Sequence, residues 1–242
     1  MSDLKRKVQP RNPQGEKHKG SQLWLQKVIN DCPELLNSQI RKAFVWLQDE
    51  QITWVSPLRE DEYSEYRDEG FVERLGLKLE KQPLSGFWPR GGPQWDGLGM
   101  SGRGSPILVE AKGHVGEMAG PGSQATYESS VERIAASLER IKEWLSVNPK
   151  DVHIDWRTGP FYQYVNRLAH LYLLRELNGI DAKLLFVDFV GDTQMHGPEC
   201  DQQWDGAVSL VHKLLGIRTL PCTVGHICCD LNKVRNALLK VA

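Results

Sequence analysis

The chain predicts an α/β domain built on a mixed β-sheet, and three observations carry that expectation. Residues 183–190 form a nearly continuous apolar run broken only by Asp188, the pattern of a central strand covered on both faces. Two shorter apolar segments, 95–99 and 107–112, flank Gly102-Arg103-Gly104-Ser105-Pro106, which is turn chemistry, so they read as the strands of a hairpin. Between and around these strands lie long segments with apolar residues at helical spacing. Strands interleaved with helices point to a sheet with helices packed on it.

The N-terminal residues 1–20 are polar and carry six Lys or Arg against Asp3 and Glu16, which predicts a disordered basic arm. Residues 21–58 predict a helical extension. Leu23, Trp24 and Val28 mark one helix, and Leu35, Leu36, Ile40, Ala43, Phe44 and Leu47 mark a second, with Pro33 suited to its first turn. The tryptophans here are expected in the core. Residues 59–242 are then expected to form the α/β domain.

Within that domain a strongly acidic helix is expected over about 59–75, with Glu62, Glu65 and Glu69 on one face. Residues 75–80 alternate Leu75, Leu77 and Leu79, the pattern of a first strand. A loop rich in Pro and Gly leads into the hairpin. A long amphipathic helix is expected over 125–147 with the stripe Val131, Ile134, Leu138, Ile141 and Leu145. Another is expected over 160–177, stopped by Asn178-Gly179, with a narrow polar stripe at Gln163, Asn166, Arg167 and His170. That stripe suits either a solvent-facing strip or a cleft wall in which Gln163 and Arg167 reach phosphates. A helix over 203–215, a strand over 223–229 and a closing helix from Leu231 complete the order.

Composition narrows the function classes. A formal net charge of −1 across 242 residues gives no global attraction to nucleic acid, so a basic groove must come from local clustering. The five cysteines form no CxxC pair and suit a reducing compartment. No run approaches the roughly 18 apolar residues of a membrane span, which predicts a cytoplasmic protein without a membrane partner. There is no Walker loop and no GxSxG elbow.

The chemistry concentrates in residues 92–117. Side chains alternate across a strand, so Glu110 and Lys112 share one face while Ala111 takes the other, and Asp96 lies beside Glu110 if the hairpin forms. Two converging carboxylates suit a hard divalent cation, and Mg2+ takes one or two of them together with waters and substrate phosphate oxygens. Lys112 would sit within reach of an attacking water or of developing charge. His114 continues the same face, and its two readings, a phosphate or water contact and a partly exposed histidine at a strand end, stand level.

Asp96, a 13-residue gap and Glu110-Ala111-Lys112 resemble the D…(D/E)xK signature of the PD-(D/E)XK nuclease superfamily. The resemblance covers about residues 59–229 in coarse order. It implies a restriction endonuclease-like mixed β-sheet flanked by helices, here with the N-terminal helical extension. It further implies Mg2+ or Mn2+ held by Asp96 and Glu110, an acid from an earlier helix for which Glu65 is the candidate, and Lys112 acting on the hydrolytic water. Arg133, Gln163, Arg167 and His114 would then serve as substrate-binding residues, with Arg90 and Arg103 as further phosphate contacts. Two departures stand out. Trp95 rather than Pro precedes Asp96, and Gln124 and Tyr127 are one residue too close for the Gln-xxx-Tyr motif of the lambda exonuclease-like branch. The expected activity is a metal-dependent endonuclease acting on DNA, with room for a homodimer or a protein partner. The alternative is a module of the same fold that binds nucleic acid or protein without cleaving.

Overall fold

The computed structural model describes residues 11–241. A two-residue strand β1 (Arg11–Asn12) precedes helices α1 (Gly20–Asp31) and α2 (Pro33–Ala43), then β2 (Ile52–Ser56), β3 (Glu65–Tyr66) and the short helices α3 (Glu69–Arg74) and α4 (Leu84–Phe87). The hairpin β4 (Gly97–Ser101) and β5 (Pro106–Lys112) follows, then α5 (Glu128–Trp144) and α6 (Tyr162–Tyr172), which runs on as one π-helical turn over Leu173–Leu177. The chain finishes with β6 (Lys183–Val190), α7 (Asp201–Leu215), β7 (Val224–Asp230) and α8 (Leu231–Val241).

The main sheet has the order β2-β4-β5-β6-β7. Its first three strands are antiparallel, and β5, β6 and β7 run parallel, so the sheet is mixed. Alternation along the strands sorts the core into two layers. Ile107, Val109 and Ala111 of β5, with Leu185, Val187 and Phe189 of β6, pack against α1, α2 and α8. Leu108 of β5, with Leu184 and Phe186 of β6, packs against α5, α6 and α7. Helices therefore cover both faces of a sheet with a helical extension before it, as the sequence predicts. Glu110 and Lys112 share the parity of Leu108 and fall on the α6 side.

Several elements differ from expectation. Residues 59–75 are not one helix: Glu62 and Tyr63 sit at φ 51° and 52° and Asp68 at φ 50°, left-handed positions that break the helix into a short 3-10 turn, β3 and α3. Glu65 is consequently presented by a short strand. Residues 75–80 form no strand. The sheet edge is instead Ile52–Ser56, which the sequence reading placed in the helical extension; its burial alternates, with Ile52, Trp54 and Ser56 turned inward. Residues 1–10 of the expected disordered arm lie outside the described residues, while Arg11–Asn12 pair antiparallel with Glu65–Tyr66.

The approach of α1 to the end of β5 determines what surrounds Lys112. A Cβ on Gly113 would stand 3.1 Å from the backbone nitrogen of Ser21, so this position brings the start of α1 hard against the strand end. Among the described residues, no helix is long and apolar enough to cross a membrane.

Candidate functional site

The open end of the β4–β5 hairpin carries the cluster. The last pair of that ladder is Gly97↔Val109, and just beyond it the Ala111 N–H donates to Asp96 Oδ2 at 2.8 Å. The carboxylate thus completes the ladder where the strand stops, which fixes Asp96 next to Glu110 and Lys112. Lys112 Nζ lies 2.6 Å from Glu110 Oε1 and 3.3 Å from Gln163 Oε1. On the other side of Glu110, Arg167 places Nε 2.7 Å and Nη2 2.6 Å from Oε2, a two-pronged pairing that suits a guanidinium. Gln163 and Arg167 are four apart on α6 and so face the same way.

Glu65 joins from the opposite wall. Its Oε1 accepts from Gln22 Nε2 at 2.8 Å and its Oε2 from Gln94 Nε2 at 2.9 Å. The Gln94 carbonyl in turn accepts from Arg167 Nη2 at 3.0 Å. These groups line an open cleft of about 550 Å³, whose rim includes Asn12, Lys19, Glu117 and Met195.

The electrostatics follow from three carboxylates facing two cations. Burial alone would raise the Glu110 carboxyl, but Arg167 and Lys112 outweigh it and hold the group below its usual range. Burial opposes the charge on Lys112 too, yet Glu110 and Asp96 leave the ammonium more strongly protonated than usual. For the other two acids the compensating groups are outweighed. Asp96 is pushed up to about 7 by burial and by the neighbouring Glu110 charge. Glu65 is pushed up to about 8 by burial and by Asp96, with the Gln94 hydrogen bond pulling only partly the other way. Among the described residues, no three His, Cys, Asp or Glu side chains form a ready metal-binding group. Glu110 in particular has both oxygens engaged by Lys112 and Arg167.

The structure brings Asp96, Glu110, Lys112, Glu65, Gln163 and Arg167 together on one cleft. Arg167 arrives in a different guise from the expected phosphate contact: it is 7% exposed and its guanidinium is spent on Glu110 and the Gln94 carbonyl. His114 and Arg133 do not line the cleft. The strand ends at Lys112, so His114 no longer follows its alternation; its Nε2 lies 3.4 Å from Glu117 Oε1. Arg133 donates to the Ser85 carbonyl at 2.7 Å. Arg103 occupies the closed end of the hairpin, opposite to Asp96, and pairs with Glu50 at 2.6 Å.

Two participants escaped the sequence reading. Gln94 carried a signal, because it stands two residues before Asp96 and extended backbone puts both side chains on one face. Gln22 carried none, since only the tertiary approach of α1 delivers it. Comparison of the chain with protein-family models, curated proteins and solved structures gave no match.

Proposed function

We propose that this protein is a metal-dependent nuclease that hydrolyses phosphodiester bonds of nucleic acid, with DNA the expected substrate. The observation that carries the reading is the convergence of Asp96 and the Glu110-Ala111-Lys112 segment at one strand end, on an open cleft. This is the arrangement expected from the resemblance to the PD-(D/E)XK superfamily, and the mixed sheet with helices on both faces is compatible with it.

The donor set fits a divalent cation. Asp96 and Glu65 are oxygen donors whose carboxyls burial and neighbouring negative charge push up to about 7 and about 8, and hard oxygen ligands are what Mg2+ or Mn2+ takes. When bound, such an ion would supply an activated water and neutralise charge on the phosphoryl group. The chain's own groups have distinct parts. Asp96, Glu110 and Glu65 would hold the ion, and Lys112 would orient the water or stabilise negative charge on the reacting phosphate. Arg167 is a positioning residue, because it acts through Glu110. Gln163, within 3.3 Å of Lys112 Nζ, is the polar group best placed to meet substrate beside it.

One observation favours a second reading, a module that binds without cleaving: Glu110 is fully engaged by Lys112 and Arg167, which leaves it satisfied without a metal. The test is cleavage of single-stranded DNA, duplex DNA and RNA with Mg2+, Mn2+ or EDTA, comparing wild type with Asp96→Ala and Lys112→Ala. The nuclease reading expects metal-dependent cleavage lost in both variants. Cleavage that survives both substitutions removes these residues from the reaction, and binding without cleavage of any substrate selects the second reading.

A further inference from the structure

We propose that a second hollow, which shares Gln163 with the catalytic cleft, is a subsite for an unpaired nucleobase of single-stranded nucleic acid. The inference rests on the nuclease reading for its choice of ligand and deepens it by naming the substrate class. The hollow has a volume of about 460 Å³ and shares Gln163 with the main cleft, so a chain whose phosphate lies beside Lys112 can place a neighbouring nucleotide in it. That volume falls within the roughly 300–1,000 Å³ of small-molecule pockets.

Both walls are fixed by contacts outside the hollow. The first, Trp88 to Gly91, is tied down by Asp68, whose carboxylate accepts the N–H groups of Gly91 at 3.1 Å and Gly92 at 2.9 Å. The second, the loop from Pro121 to Tyr127, is held by Gly120 N–H to the Pro160 carbonyl at 2.8 Å and Ser123 N–H to the Arg157 carbonyl at 2.7 Å. Gly122 packs so closely that a Cβ there would stand 2.4 Å from the Thr158 carbonyl oxygen. Tyr162, stacked on Trp88 with ring centroids 6.4 Å apart and planes at 25°, lines the interior.

The rim supplies the chemistry of a nucleotide. Tyr127 is 79% exposed, so its ring adds little to the core and presents a free aromatic face. Arg90, also exposed, brings a guanidinium to the opposite wall, where it can meet a backbone phosphate. Between them, Ser123, Gln124 and Thr126 offer hydrogen-bonding groups. An exposed aromatic face in a groove that also carries a cation is the platform on which bases of a single strand stack. A paired base has both faces already covered by its neighbours, so this platform selects unpaired over duplex substrate.

The experiment is fluorescence anisotropy with labelled single-stranded 12-mers of DNA and RNA and the corresponding DNA duplex, all in EDTA. Wild type is compared with Tyr127→Ala, Tyr127→Phe and Arg90→Ala, with melting temperatures confirming that each variant is folded. Base stacking of this kind predicts that Tyr127→Ala weakens single-strand binding about five- to hundredfold. Tyr127→Phe should retain it, Arg90→Ala should weaken it, and duplex binding should be unaffected by Tyr127→Ala. Unchanged single-strand affinity in Tyr127→Ala, equal weakening toward the duplex, or no single-strand binding by wild type would overturn the subsite. Cleavage is scored separately. Cleavage dependent on Asp96 with binding indifferent to Tyr127 refutes the subsite alone, whereas binding dependent on Tyr127 in a protein that cleaves nothing supports the subsite and refutes the nuclease reading.

Discussion

Replacing Asp96 by Asn should stabilise the metal-free protein at pH 8, and the size and sign follow from the site. The Asp96 carboxyl is pushed from 3.8 to about 7 by burial and by Glu110. A carboxyl raised in the folded state costs nothing below the unfolded value, where both states are protonated, and its cost grows as pH rises toward the folded value. Three units at 1.36 kcal/mol each would give about 4 kcal/mol at pH 8. Because Glu110 and Glu65 share the repulsion, about half of that, roughly 2 kcal/mol, is the expected gain. Asn keeps an oxygen to accept the Ala111 N–H, so the bond that anchors residue 96 survives. For a chain of this size the gain corresponds to a rise of roughly 4–8 °C in Tm. Thermal unfolding in EDTA at pH 4, 6 and 8 measures it, and the advantage should shrink toward zero at pH 4. A variant less stable than wild type at pH 8, or an advantage that does not change with pH, would refute the charge argument. Mg2+ provides the companion measurement, because it should raise the Tm of wild type and leave the Asn variant largely unmoved.

Arg167→Met should cost roughly 3–5 kcal/mol in urea denaturation, because it leaves the Glu110 carboxylate, 3% exposed, with Lys112 as its one remaining ion-pair partner among the described residues. His170 gives a pH dependence of the opposite sign to Asp96. Its imidazole is fully buried among Phe71, Trp88 and Trp95, has no hydrogen-bond partner for Nε2 among the described residues, and is lowered from 6.5 to about 3 by burial. The unfolded chain therefore binds a proton that the folded one refuses, and stability should fall by up to about 1.4 kcal/mol per unit as pH drops from 6.5 toward 3. His170→Leu should flatten that slope in acid titrations followed by fluorescence, and an unchanged slope would count against it.

What was legible in the sequence is what short-range chemistry specifies. The hairpin announced itself through Gly102-Arg103-Gly104 between apolar segments, and β6 through an apolar run too long to be anything but interior. Once the hairpin is granted, alternation alone puts Glu110 and Lys112 on one face and Asp96 at the open end. The failures share a different cause. Leu75, Leu77 and Leu79 alternate as a strand would, but among the described residues they pair with no strand and pack into the core instead, and Ile52–Ser56 takes the edge of the sheet. Residues 52–56 fall within the stretch read as a helical extension, because so short an apolar segment does not separate a strand from a helix end. The helix over 59–75 was broken by left-handed backbone at Glu62, Tyr63 and Asp68, none of them Gly, so composition gave no warning. Gln22 depends on the contact between Ser21 and Gly113, which no local pattern encodes.

The position of Arg167 changes how the cluster itself should be understood. An aspartate, a glutamate and a lysine on a strand end could be read as metal ligands plus a catalytic cation, yet here the glutamate draws two cations to itself and the shortage of positive charge falls on Asp96 and Glu65. Above about pH 8, with all five groups ionised, the cleft carries one net negative charge and would repel a phosphodiester. One divalent cation reverses that sign. It would also bring Asp96 and Glu65 back into the carboxylate form at neutral pH, since a nearby positive charge favours ionisation. On this account nucleic-acid affinity at the main cleft should rise with Mg2+ at about pH 8 and above, while affinity carried by Tyr127 persists in EDTA. A module that never bound an ion would have no such reversal, and for it the cheaper design is the neutral Asn at position 96.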